Sequence, residues 1–162
     1  MKTDINRLLF SGYPRFVGTP EQWPVWDDTT FDLFREANEG EANCYARISR
    51  INRTRENVVD RVLLDLDGDI PDDMTDTELV SNLRLDADFR EEVLGQVAED
   101  TRSIMELCHQ ESFPVVGVYT GKGVHIHILF EPKSRAKEEI TTLAKWVEDE
   151  CNVQTLDHQV VG

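Results

Sequence analysis

Residues 62–70, VLLDLDGDI, constrain the fold of this chain more than any other stretch. An apolar run of this kind reads as a strand set into a core, yet it ends on Asp65 and Asp67, just before Gly68. On a strand, positions i and i+2 project from one face, so the two carboxylates stand together while Leu66 enters the other face. Two ionised carboxylates a few Å apart repel, and a divalent cation held between them relieves the repulsion. Asp65 and Asp67 are therefore candidate metal ligands. The plainer alternative is a polar strand end facing water.

A second constellation lies at residues 120–130, TGKGVHIHILF. PVVGVYT and GVHIHILF read as two strands joined through Gly121, Lys122 and Gly123. Val124, Ile126 and Ile128 alternate with His125 and His127, which places both histidines on one face. Thr120, Gly121, Lys122, Gly123 and His125 suit an anion: the glycines let backbone N–H groups approach, and Lys122 and His125 add charge or a donor. Taken alone, an ordinary hairpin turn explains the same residues, with His127 at a core edge or on the surface.

The remaining elements follow from spacing. Residues 11–30 are rich in Pro, Gly and Trp and read as an ordered, irregular arm. TFDLFREAN is a short helix stopped at Gly40. Residues 43–50 alternate as a strand with Tyr45, Arg47 and Ser49 on one face, and 58–67 form the next strand. Thr75 with Glu78 makes a capping box, and Asp88 with Glu91 a similar start. Val93, Val97, Ile104 and Cys108 then share one helical face. Ser134 opens a helix carrying Ile140, Leu143, Ala144 and Val147, and a last strand near 152–161 carries Asp157. The expected class is α+β: an RRM-like or palm-like mixed sheet with helices packed on it and an N-terminal αβ arm. Residues 1–42 form the arm and short helix, and 43–162 the core domain.

Composition narrows the function. No apolar stretch approaches the ~20 residues that span a bilayer, so no membrane role is expected. Cys44, Cys108 and Cys151 are an odd number at wide spacings with no CxxC, which argues against disulfides and a zinc knuckle and for a reduced, cytoplasmic setting. The net charge is −15, with twelve Arg against only five Lys. A plain acidic protein avoids nucleic acid, because phosphate contacts need cations. Acid-rich, lysine-poor surfaces also suit concentrated salt, where repulsion is screened beyond roughly 3 Å at about 1 M. Net charge then says little about partners, and the local cluster Arg47, Arg50, Arg53, Arg55 and Arg61 matters more.

Three family resemblances compete. LLDLDGD resembles the DxDG motif of haloacid-dehalogenase phosphatases, but about sixty residues precede it and no distal acidic pair follows on a strand end. HIHILF resembles the His-hydrophobe-His motif of rolling-circle nickases, whose tyrosine nucleophile follows that motif; Tyr13, Tyr45 and Tyr119 all precede it. The third resemblance uses every piece. LLDLD, TGKGVH and TLD stand in the order of the three motifs of the archaeo-eukaryotic primase superfamily, over roughly residues 43–162.

That resemblance implies a DNA primase or primase-polymerase, a nucleotidyltransferase that makes or extends primers. Asp65, Asp67 and Asp157 would be its catalytic metal ligands for Mg²⁺ or Mn²⁺. Thr120, Gly121, Lys122, Gly123 and His125 would hold the incoming nucleotide. The implied partners are a DNA template and primer, nucleoside triphosphates, and a primase large subunit or helicase. The zinc cluster of replicative small subunits is not expected, because Cys108, His109 and Cys151 are too scattered. A compact member carried by a salt-loving archaeon or its mobile element is the form implied. The chain stops at Gly162, inside or just after the third-motif strand, so a continuation is expected in a complete enzyme. The alternatives kept open are a nickase-like DNA-binding domain and a catalytically inactive primase remnant.

Overall fold

The structure, a computed structural model, describes residues 13–18, 21–38, 45–51, 57–133 and 137–157. Its elements are β1 (Arg15–Gly18), β2 (Gln22–Val25), α1 (Asp28–Asn38), β3 (Tyr45–Ile51), β4 (Asn57–Asp67), α2 (Asp76–Leu85), α3 (Ala87–Gln110), β5 (Val115–Tyr119), β6 (Gly123–Lys133) and α4 (Lys137–Cys151). The fold class is α+β. The chain divides into two units, Met1–Arg61 with Glu131–Arg135, and Val62–Phe130 with Ala136–Gly162.

In the first unit the Pro- and Trp-rich arm is more regular than expected. β1 and β2 form an antiparallel pair, with Arg15 opposite Val25 and Gly18 opposite Gln22. β1 also pairs antiparallel with β3, whose partner is β4, in the order β2-β1-β3-β4. Pro24 is tolerated because β2 is the outer strand, where a missing N–H breaks no central ladder. Helix α1 starts at Asp28 because Asp27 and Thr30 cap it reciprocally: Thr30 N–H donates to Asp27 Oδ1 at 2.8 Å, and Asp27 N–H to Thr30 Oγ1 at 3.2 Å. Val17, Val25 and Phe31 form the core, with Tyr13 and Phe34 against it.

Arg61 is no part of a surface cationic patch. It is 3 % exposed, and its Nε stands 2.6 Å from Asp60 Oδ1, a carboxylate that also faces buried Arg15 at 3.6 Å. Burying guanidinium groups demands such pairing. The side chains of Arg47, Arg50, Arg53 and Arg55, the face Tyr45, Arg47 and Ser49, and the sites Gly40, Cys44 and Ser134 lie outside the described residues.

In the second unit the strand order is β4-β6-β5. β5 and β6 pair antiparallel, Val115 opposite Ile128 through Tyr119 opposite Val124. The registers among described strands are antiparallel. Val62, Leu64, Leu66, Ile126 and Ile128 are at most 1 % exposed. They alternate with Leu63, Asp65, Asp67, His125 and His127, so the apolar residues share one face of the sheet and the carboxylates stand on the other. Helix α3 packs on β5 and against α2 and α4. Its Val93, Val97, Ile104 and Cys108 are buried as their spacing requires, as are Ile140, Ala144 and Val147 of α4.

The capping box of α2 is present, with Thr75 accepting from Glu78 N–H and Glu78 from Thr75 N–H. The start of α3 is two residues earlier than Asp88: Asp86 is the N-cap, accepting from Asp88 N–H and Phe89 N–H at 3.0 Å each. Cys108 and Cys151 are free thiols, and burial pushes Cys108 up to about 11. Among the described residues no helix is long and apolar enough to cross a membrane.

Candidate metal centre

Asp65 and Asp67 reach one face of β4 by strand alternation, as their spacing requires. Asp157 joins them through the backbone. Asp67 N–H donates to Thr155 O at 3.0 Å, Asp157 N–H donates to Asp65 O at 2.8 Å, and Leu66 bridges Leu156 in antiparallel sense. Directly opposite residues of an antiparallel pair point to the same side. Asp157 therefore stands over Asp65 on the carboxylate face. Only this bridge of the expected last strand falls among the described residues, and 158–162 lie outside them.

β6 flanks the other edge of β4. Gly68 N–H donates to Lys122 O at 3.0 Å, and His125 stands beside Asp65, so β6 ascends as β4 descends. The strands come so close that a Cβ at Gly123 would collide with the Leu66 carbonyl oxygen. The glycine is needed for this approach. Gly121 takes φ +101° in the turn, which glycine permits without strain, and Thr120 N–H closes the turn on Gly123 O at 3.0 Å.

One ligand oxygen from each of Asp65, Asp67 and Asp157 falls within 4.8 Å of the others. Two nitrogen-bearing side chains, Lys122 and His125, border them. Lys122 Nζ lies 3.1 Å from Asp67 Oδ2, and His125 Nε2 lies 3.2 Å from Asp65 Oδ1. The approach to Asp65 Oδ1 is not aligned as a hydrogen bond, so this buried oxygen keeps its acceptor capacity. Burial raises the pKa of Asp65, and Asp67 and Asp157 raise it further, while His125 and Lys122 pull it down. Lys122 is held protonated, first by its hydrogen bond to Asp67.

Such a donor set fits a hard divalent cation. Carboxylate oxygens are its preferred ligands, and the negative charge gathered around Asp65 by Asp67 and Asp157 is what a cation neutralises. Beside the carboxylates opens a cleft of about 640 Å³, walled by Asp67, Asp69, Glu92, Gln96, Gln154 and Asp157 among others. Lys122 and His125 do not line this cleft; they approach from the β6 side.

The structure thus brings together Asp65, Asp67, Asp157, Lys122 and His125, with Thr120, Gly121 and Gly123 shaping the turn. It does not bring His127 with them. His127 is 4 % exposed, a core residue rather than a surface one, with its ring centroid 6.4 Å from that of His125. Sequence reasoning missed Asp100, which is 3 % exposed and receives Gln154 N–H at 2.9 Å, Thr155 N–H at 3.0 Å and the Thr155 hydroxyl at 2.8 Å. The signal was present: Asp100 interrupts the apolar stripe between Val97 and Ile104. No family model, curated protein or solved structure matches the chain.

Proposed function

We propose that this chain is a metal-dependent nucleotidyltransferase of the archaeo-eukaryotic primase type, acting on a primed or unprimed DNA template with nucleoside triphosphates. The observation that carries the reading is the convergence of Asp65, Asp67 and Asp157 beside Lys122 and His125. Three carboxylates from two chain segments meet an ammonium and an imidazole from a glycine turn. That pairs a cation site with an anion site.

Asp65, Asp67 and Asp157 would hold Mg²⁺ or Mn²⁺. Such ions supply Lewis-acid stabilisation of the attacking and leaving oxygens in an in-line phosphoryl transfer. Lys122 neutralises phosphate charge and His125 offers a hydrogen-bond donor that orients it, a role for charge-assisted hydrogen bonds. The flexible ammonium of Lys122, 55 % exposed, is free to leave Asp67 for a phosphate oxygen. No protein nucleophile is required, in keeping with a tyrosine set that precedes the hairpin.

The test is Mn²⁺ titration followed by electron paramagnetic resonance, with primer extension on a labelled template alongside. Wild type should bind Mn²⁺ and incorporate nucleotide. Asp65→Asn with Asp67→Asn should lose both, Asp157→Asn should weaken binding about 10-fold or more, and His127→Ala should leave binding nearly intact. Loss of metal in folded His127→Ala with retention in Asp157→Asn would overturn the reading in favour of a nickase-like site. Metal binding without incorporation would favour an inactive remnant.

A further inference from the structure

Burying an ionised carboxylate inside a helix–sheet core is costly unless every acceptor is used. Asp100 sits in the buried stripe of α3, where an apolar residue would complete the row from Val93 to Cys108. Its two oxygens are divided between two tasks. Oδ1 accepts from Gln96 Nε2 at 2.7 Å, one turn back on the same helix. Oδ2 takes two consecutive backbone N–H groups, Gln154 and Thr155, and the Thr155 hydroxyl. Burial opposes the charge on Asp100, but these hydrogen bonds outweigh it and hold its pKa below the usual range.

What Oδ2 grips is the segment that delivers Asp157. The chain leaves α4 at Cys151, turns at Asn152 with φ 51°, is caught at 154–155, and reaches Asp157 two residues later. Beyond that grip, two backbone hydrogen bonds to β4 hold residues 155–157. Among the described residues one bridge, Leu66 with Leu156, ties this segment to β4, so the anchor that precedes it contributes to where it stands.

We infer that Asp100 is the positioning residue of the centre: by clamping the 154–155 backbone it sets where the Asp157 carboxylate stands relative to Asp65 and Asp67. The inference rests on the carboxylates being metal ligands. Asp100 itself touches no reacting atom and acts through Thr155. Outer residues of this kind commonly change metal affinity about 10–100-fold when removed.

The experiment is a double-mutant cycle on the full chain, read as Mn²⁺ affinity, with amide hydrogen exchange on the same samples. Asp100→Ala should weaken Mn²⁺ about 10-fold or more and speed exchange at residues 153–157 while the other amides keep their protection. Asp100→Asn should recover much of the loss, because its carbonyl oxygen can still accept from 154 and 155 while the Gln96 amide turns over. Thr155→Val, which removes one of the three donors to Oδ2, should fall between. The decisive readout is non-additivity: in Asp157→Asn the Asp100→Ala change should cost little further affinity, since both act on one ligand.

Additive losses, or wild-type affinity in folded Asp100→Ala, would overturn the inference. If Asp100→Ala does not fold, the same cycle with Thr155→Val decides it. If wild type binds no Mn²⁺, the ligand reading falls on its own account. The positioning is then judged by exchange alone: faster Asp157 and Asp67 amides in Asp100→Ala, or in Thr155→Val where Asp100→Ala does not fold, uphold it, and unchanged rates overturn it.

Discussion

Gly123 shows how much of the centre depends on one missing methyl group. A Cβ there would meet the Leu66 carbonyl oxygen, which is backbone at the hydrogen-bonded end of β4 and cannot swing aside, and would come within 3.0 Å of Asp67 Oδ1. Gly123→Ala should therefore push β6 away from β4, costing about 1–3 kcal/mol as overpacking does. The same displacement should draw His125 away from Asp65. Urea melts give the first quantity, and loosened Mn²⁺ affinity the second; unchanged stability would mean that the strands part without loss. Most of the residues in this centre were legible before the fold was known, because Asp65, Asp67, Lys122 and His125 each announce themselves by residue type in a strand or turn context. Asp100 did not, because its partners are backbone amides more than fifty positions away and nothing in its neighbours names them. His127 was left between a core edge and the surface for a related reason: alternation assigns it a face, but only the fold tells that the face is covered there.

At the scale of elements, Asp86 joins two helices. It ends α2, its N–H donating to Asn82 O at 2.9 Å, and it caps α3 through its carboxylate. Arg90 reinforces the joint by donating to Leu83 O at 2.6 Å and Arg84 O at 3.0 Å. Asp86→Ala should cost about 1 kcal/mol, the usual loss for an N-cap, with the first turn of α3 fraying and helical circular dichroism falling slightly. Asp86→Asn should restore most of that loss; equal stability of all three proteins would deny the cap. Helix periodicity located α3 and its buried face because four apolar residues recur on one side, whereas its start was read at Asp88, two residues after the Asp86 cap that the structure uses. The β1–β2 pair was illegible for a different reason. Strands of four residues carrying Pro and Gly have little alternation to display, and pairing of β2 with β1 and of β1 with β3 supplies the order that local propensity lacks.

For the whole molecule the governing quantity is charge, −15 over 162 residues. Self-repulsion on this scale should make the fold more stable in molar KCl than in dilute buffer, and thermal melts across salt would expose the contrary case as a flat response. Molar KCl also brings out two carboxylates, the partly buried Asp65 and the buried Asp100, whose pKa values move in opposite directions. The raised pKa of Asp65 means that its ionised form costs stability, fully so above its folded pKa. As pH falls through that value the folded state takes up a proton first, and stability rises until the unfolded chain also protonates near about 3.9. The lowered pKa of Asp100 gives the reverse: its stabilisation is complete above about 3.9 and is lost as pH falls through its folded value. With surface charges screened, unfolding free energy should climb on acidification from neutrality and then drop steeply below the ordinary carboxylate range. Asp65→Asn should flatten the climb, and Asp100→Asn should shrink the drop, to which the lowered pKa values of Asp27 and Glu78 also contribute, while lowering the plateau. Mn²⁺ should convert the climb into a fall, because a bound cation favours the ionised carboxylates that acid neutralises. A steady decline of metal-free wild-type stability from pH 7 to pH 4 in molar KCl would contradict the charge state assigned to Asp65.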